Sequence, residues 1–323
     1  MIGTLERPPV PTAAGLSVWY RHTPSGRGGH DRIRELVEAG RITSVALTGP
    51  APEDELRSLC DLLAPLRESG AGLVAVPVAA RPRAVTACDL LHDARRLCAA
   101  VGRPNLLPAL PATDSGLCAL TSLLGEGFGV RLGPLHSVAR YRQAVRAHLD
   151  GLELARWRGL DLTGLTSVAA FGVGGIDVEV DALLDRAGSH EAKALRGMAG
   201  TATARLARRA HAEAHDTGLS TRWRALAAAG ARPQHLLWTQ LHHGVPGHRT
   251  TRYLDALATP GAAVELCPSD LETTGGRSGV RAPRSAREEQ EAHAFTERLT
   301  ACLRWFDVRH EAVVPAPDDA ARH

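Results

Sequence analysis

Lysine is almost absent from this 323-residue chain. Lys193 is the only one, and arginine supplies the rest of its 38 basic residues. A guanidinium stays protonated and cannot act as an amine nucleophile, so chemistry that needs a lysine must run through Lys193 or not at all. GC-rich codon usage produces the same bias with no functional cause. Other absences narrow the field. No apolar run reaches the roughly 18 residues of a membrane span, so no membrane partner is expected. The opening "MIGTLERPPVPTAAG" lacks a basic start followed by an apolar block, so no signal peptide and a cytoplasmic location are expected. Cys60, Cys88, Cys98, Cys118, Cys267 and Cys302 form no CxxC pair, which points to reduced thiols. Acids and bases are interspersed, with a net charge of +3 and no Lys/Arg tract. That balance gives no reason to expect a nucleic-acid partner. No HxH or HExxH spacing occurs, so neither a metal nor another cofactor is expected.

What is present is the composition of a globular protein, 44% hydrophobic and 23% charged. Short β-rich runs alternate with amphipathic ones. Strands are expected at "LSVWY" (16–20), "ITSVAL" (42–47), "GLVAVPV" (72–78), "PNLLPAL" (104–110), "FGVRLG" (128–133), "LTSVAAFG" (165–172), "HLLWTQ" (235–240) and "AAVELC" (262–267). "DRIRELVEAG" places Ile33, Leu36 and Val37 on one helical face, and "PEDELRSLCDLLAPLRESG" does the same with Leu56, Leu59, Leu62 and Leu63. Thr113 and Ser137 are expected N-caps, and Gly151 is expected to interrupt or end the helix that Ser137 starts. Eight strand–helix alternations predict a parallel sheet closed into a barrel, with one domain over 15–312. Residues from about 177 to 230 read as an extra helical insertion. The ends, 1–14 and 313–323, read as a flexible N-terminus and a disordered tail.

Several of these stretches also carry a family resemblance. "LSVWY", "RPNLLPALPAT", "EGFGVRLGPLHSVARYR", "TSVAAFGVGGIDVEVDALLD", "LRGMAGTATARLA", "RWRALAAAGARPQHLLW" and "RYLDALATPGAAVELCP" together resemble bacterial transaldolases of the actinobacterial type, over roughly residues 15–270. The resemblance implies a (β/α)8 TIM barrel of the transaldolase type, working at the C-terminal ends of its strands. It implies a lysine Schiff base that carries a three-carbon ketone unit between sugar phosphates. The family's lysine position falls on Ala109. Its first-strand carboxylate falls on Arg21, its second-strand asparagine on Gly49 and its third-strand glutamate on Pro77. The fifth-strand asparagine and threonine fall on Arg131 and Gly133. The sixth-strand serine and phosphate-binding arginine fall on Ala170 and Gly175, and the seventh-strand serine falls near Gln240. The frame of the family is retained while its chemical positions differ, and Lys193 sits in the helical insertion.

The residues that stand in those places have chemistry of their own. Arg21 and Arg131, at expected strand ends, suit an anionic ligand. They equally suit pairing with acids such as Asp177 or Glu265. His136, His22 and the "LHHGVPGH" histidines His242, His243 and His248 fall at the expected catalytic face, as acid–base groups or as surface loop residues. Gly174 and Gly175, in "FGVGGID", open a helix whose backbone N–H groups could hold an anion, although the run does not satisfy GxGxxG. Glu265 and Cys267 share one face of the last strand, with Cys267 read as core. Asp177, Glu179, Asp181 and Asp185 read as complements to a helix dipole. The expected function is a transaldolase-like barrel without Schiff-base chemistry. One reading is a repurposed lyase or transferase-type enzyme acting on an anionic sugar-like or small carbonyl substrate, with His136, His242, His243 and Arg131 catalytic and Arg21, Arg131, Gly174 and Gly175 binding the anion. The alternatives are a non-catalytic pseudoenzyme that binds a sugar phosphate or a protein partner, and a transaldolase of the pentose phosphate pathway by homology only. A homo-oligomer or a pathway protein partner is left open.

Overall fold

Eight short runs rich in Val, Leu and Ala form parallel strands. They are β1 (Ser17–His22), β2 (Ser44–Leu47), β3 (Val74–Pro77), β4 (Leu106–Leu110), β5 (Val130–Leu135), β6 (Ser167–Gly172), β7 (His235–Thr239) and β8 (Ala263–Leu266). Each pairs with the next, and β8 pairs back onto β1, so the sheet closes into a barrel. The computed structural model describes residues 17–24, 29–78, 85–216, 218–241, 250–257, 263–273 and 286–309. The (β/α)8 barrel expected from the sequence is the observed fold, and every expected strand is found within two residues at its start.

The helices are α1 (Gly29–Glu38), α2 (Glu53–Leu63), α3 (Ala87–Val101), α4 (Asp114–Gly125), α5 (Val138–Trp157), α6 (Gly174–Ala187), α7 (His190–Ala194), α8 (Ala199–His215), α9 (Thr221–Ala228), α10 (Thr250–Leu257), α11 (Pro268–Thr273) and α12 (Ala286–Trp305). Four of them, α6 to α9, lie between β6 and β7, where one crossover helix would suffice. Thr113 accepts from the Gly116 N–H at 3.2 Å and Ser137 from the Arg140 N–H at 3.1 Å, as N-caps of α4 and α5.

Strand parity sorts the core into two shells, because successive side chains point to opposite faces. Trp19, Ala75, Leu107, Val168, Ala170 and Leu237 fill the barrel interior. Val18, Tyr20, Val45, Leu106, Leu132 and Phe171 point outward and join the helix faces, including Ile33, Leu36, Leu56, Leu59 and Leu63. At the base of the sheet, the buried Asn105 amide donates to the carbonyls of Cys60 and Gly72, at 2.9 and 2.8 Å.

Gly151 does not break its helix. α5 runs through it without interruption, and the glycine serves packing instead. A Cβ there would lie 2.7 Å from the Leu124 Cβ and 3.0 Å from the Thr121 carbonyl, so the missing side chain lets α5 approach α4. Alanine favours a helix over glycine by about 1 kcal/mol, but overpacking costs about 1–3 kcal/mol. Gly151→Ala is therefore expected to destabilise the fold by up to about 2 kcal/mol. Urea unfolding would read this as a lower midpoint at unchanged slope.

Candidate functional site

At the C-terminal ends of the strands, the inward-facing residues reach solvent. Arg21, Pro77, Ala109, Arg131, Gly133 and Cys267 are all half-buried and share the interior parity. Ala109 pairs with Pro77 on one side and Arg131 on the other. These positions ring the mouth of the barrel above its apolar interior layer, the end where loops and strand ends assemble sites.

An ion pair crosses that mouth. Arg131 Nη2 of β5 donates to Glu265 Oε2 of β8 at 2.7 Å, with the side chains 13% and 8% exposed. The Arg131 Nε is also buried and has no hydrogen-bond partner. Glu265 thus points inward and neutralises Arg131, one of the two alternatives the sequence left open. Arg21 is different: among the described residues it has no ion pair.

His136 follows β5 and meets Gln240, just past β7, with Nε2 and Oε1 2.7 Å apart. An amide oxygen only accepts, so in the neutral ring Nε2 carries the proton and Nδ1 the lone pair. Gln240 has φ of 56°, a left-handed conformation uncommon outside glycine. Its carbonyl accepts from the Gly174 N–H at 3.3 Å, and the Thr239 carbonyl accepts from Val173 at 3.1 Å. The glycine run at the start of α6 therefore spends the Gly174 N–H on the end of β7. Gly175 is half-buried beside it. A Cβ on Gly172 would collide with both the Gln240 Oε1 and the His136 Nε2, so that glycine makes room for the contact.

Other expected residues are placed elsewhere. His22 lies on β1 with outward parity, stacked on Tyr20 with ring centroids 6.0 Å apart. It is buried under the helices, and burial chiefly lowers its pKa. Asp177 is buried on α6. It accepts from the Gly200 N–H at 2.8 Å and from the Tyr253 hydroxyl at 2.7 Å. Asp181 accepts from the Gly197 N–H at 2.7 Å. These two carboxylates bind the start of α8, and Asp177 also binds α10, which goes beyond the dipole role read from the sequence. His242, His243 and His248 lie outside the described residues, as do 1–14 and 313–323. Among the described residues, no group of His, Cys, Asp and Glu is arranged to hold a metal ion, and no helix is long and apolar enough to cross a membrane.

A network at the end of β8 was missed in the sequence. The Cys267 thiol donates to Asp270 Oδ2 at 2.9 Å and lies 3.0 Å from the Ser269 hydroxyl. Thr250 donates to the other oxygen of Asp270 at 2.5 Å. Burial, reinforced by the bond to Asp270, pushes the thiol pKa up and disfavours a thiolate nucleophile. Gln240 was likewise read only as a replaced position. The visible signals were the "CPSD" run and a glutamine ending a buried strand.

A closed barrel of eight parallel strands alternating with helices defines a (β/α)8 protein. The profile of the transaldolase/fructose-6-phosphate aldolase family matches residues 54–260, well over half of the chain. The chain is 34% identical over 266 residues to transaldolase 1 of Streptomyces avermitilis, covering 82% of this chain and 69% of that one. It is 32% identical over 322 residues to a transaldolase of Arthrobacter sp., covering 89% and 86%. It is 34% identical over 278 residues to a transaldolase of Mycobacterium ulcerans, covering 84% and 74%. The chain belongs to the transaldolase/fructose-6-phosphate aldolase family.

Removing one partner of the cross-barrel pair strands the other charge. Glu265→Leu and Arg131→Met alone are each expected to cost about 3–5 kcal/mol, whereas the Arg131→Met/Glu265→Leu double variant is expected to be close to neutral. Equilibrium unfolding of wild type, both single variants and the double variant measures this as a coupling energy.

Proposed function

We propose that this family member binds a small anionic, sugar-like or carbonyl ligand at the barrel mouth and acts on it without a Schiff base, as a repurposed lyase or transferase-type enzyme. The observation that carries this reading is the set of groups at the mouth. Its β4 side carries the methyl group of Ala109, where the resemblance places an amine, while Arg21 and Arg131 bring guanidinium groups to its other sides. The only lysine, Lys193, belongs to α7 in the helical segment between β6 and β7.

The roles follow from the groups present. Arg21, with no ion pair among the described residues, is the attachment point for a phosphate or carboxylate. Cleaving or forming a carbon–carbon bond beside a carbonyl requires moving a hydroxyl proton and stabilising the charge that develops on the carbonyl oxygen. Glu265 is the carboxylate in reach of the interior, and Arg131 is the cation beside it. His136, oriented by Gln240, is the proton carrier at the ends of β5 and β7. One observation favours the second reading, a non-catalytic binder: Arg131 is already neutralised by Glu265, as expected of a structural pair.

The test is thermal unfolding with fructose 6-phosphate, erythrose 4-phosphate, sedoheptulose 7-phosphate and inorganic phosphate, for wild type and Arg21→Ala. A ligand that binds only the folded state at a hundredfold excess over its Kd stabilises by about 2.7 kcal/mol. A raised midpoint that Arg21→Ala abolishes is the expected result. No shift with any ligand would reject the mouth as an anion site. Borohydride added with fructose 6-phosphate is expected to leave the protein mass unchanged, and a reduced adduct would overturn the lysine-independent reading. Ala109→Lys returns an amine to the mouth, and the same treatment of that variant supplies the positive control.

A further inference from the structure

Away from the mouth, four histidines gather in one cluster, with His148 buried and the other three half-buried. His148 comes from α5, His211 and His215 from successive turns of α8, and His235 from the start of β7. The His211 and His215 rings lie with centroids 4.4 Å apart, and those of His215 and His148 lie 6.0 Å apart. Trp223 of α9 meets His215 edge-on at 4.9 Å. The Tyr141 hydroxyl of α5 lies 2.6 Å from His211 Nδ1. His215 Nδ1 lies 2.9 Å from the His211 carbonyl, and its Nε2 accepts from the Gln234 N–H at 3.4 Å. His148 is buried, and neither ring nitrogen has a side-chain hydrogen-bond partner.

We propose that this cluster is an acid-sensitive latch, which holds α8 and α9 against α5 and β7 while its imidazoles are neutral and releases them when the imidazoles gain protons. Backbone carbonyls of Arg232 and His211 favour the charged forms of His148 and His215, but burial outweighs them and the arrangement favours neutral rings. His215 uses Nε2 as an acceptor, so a proton there would break the bond from Gln234. Protonating His211 or His148 would put like charges on rings already in contact. α5 brings Tyr141 and His148, α8 brings His211 and His215, and the approach to β7 brings Arg232, Gln234 and His235. Arg232 is a cation that also opposes protonation of His235. No carboxylate is among the groups acting on these four rings within the described residues.

Burial, then the neighbouring rings, lowers His148 and His211 to about 3. Burial lowers His215 and His235 as well. An unfolded histidine titrates near 6.5. Above that value neither state is protonated and the latch is intact. As pH falls from about 6.5 toward 3, the open state binds protons that the closed state refuses, so closure weakens progressively. Each imidazole exposed on opening multiplies the opening constant about tenfold per pH unit in that window. Exposure of two together gives about a hundredfold.

The experiment is pulsed hydrogen exchange read by peptide mass. The intact protein is held at pH 7.0, 6.0, 5.0 and 4.5 and then labelled in a short pulse at one common pH. Peptides from α8 and α9 are expected to become exposed at a higher pH than those from β4 and α4. His148→Leu is expected to hold its fold at pH 7 and to shift the exposure of α8 and α9 to lower pH. If that variant does not fold, His211→Gln, whose amide can still meet the Tyr141 hydroxyl, is expected to shift it in the same direction. Simultaneous exposure of α8, α9 and the barrel peptides, or an unchanged pH profile in a folded variant, would overturn the latch.

Discussion

Closure of the sheet is the constraint on which everything else rests. Once β8 pairs with β1, every strand residue faces either the interior or the helices. That single geometric fact sends Trp19 and Leu107 into the inner shell and Tyr20 and Leu106 into the outer one. It also decides which polar residues can meet. Arg131 and Glu265 sit three strands apart yet touch, because both point inward. His22 sits one residue from Arg21 and belongs to another environment altogether. A one-residue difference in position along a strand separates a residue at the barrel mouth from a packing residue.

The mouth is built by backbone as much as by side chains. Gln240 reaches His136 because the end of β7 takes a left-handed turn. The first N–H of α6 holds that turn, and the absent side chain of Gly172 leaves space for the contact. Behind this, Asp177 secures α6 to the start of α8 and to Tyr253 of α10. The long segment between β6 and β7 is thus fastened at its upper end by carboxylate bonds and lower down by a cluster of imidazoles.

Much of this was legible in the sequence, and for physical reasons. Strand and helix periodicities differ, so the eightfold alternation was visible, as were the hydroxyl caps at Thr113 and Ser137. The inward pairing of Glu265 was available from strand parity, though its partner was one of two alternatives. Gly151 was misread because glycine weakens an isolated helix, and only tertiary packing reveals a helix neighbour that needs the space. The histidine cluster was not legible at all. Its members come from three separated stretches, and only His211 and His215 share a spacing that places them on one helix face. The bond from Gln240 to His136 was hidden similarly, since it depends on a backbone angle that no side-chain pattern encodes.

The pair between Arg131 and Glu265 also bears on how the chain reaches its fold. The two residues are 134 positions apart in sequence, so their contact brings a large loop-closure entropy and cannot form early. Until the eighth strand docks, each charge keeps its own water, and the half-made sheet carries no isolated ion in its interior. The expensive step of drying both charges falls at the moment that also joins the first strand to the last. Assembly and neutralisation thereby become one event, and an incompletely closed barrel has an open, hydrated end rather than a collapsed one.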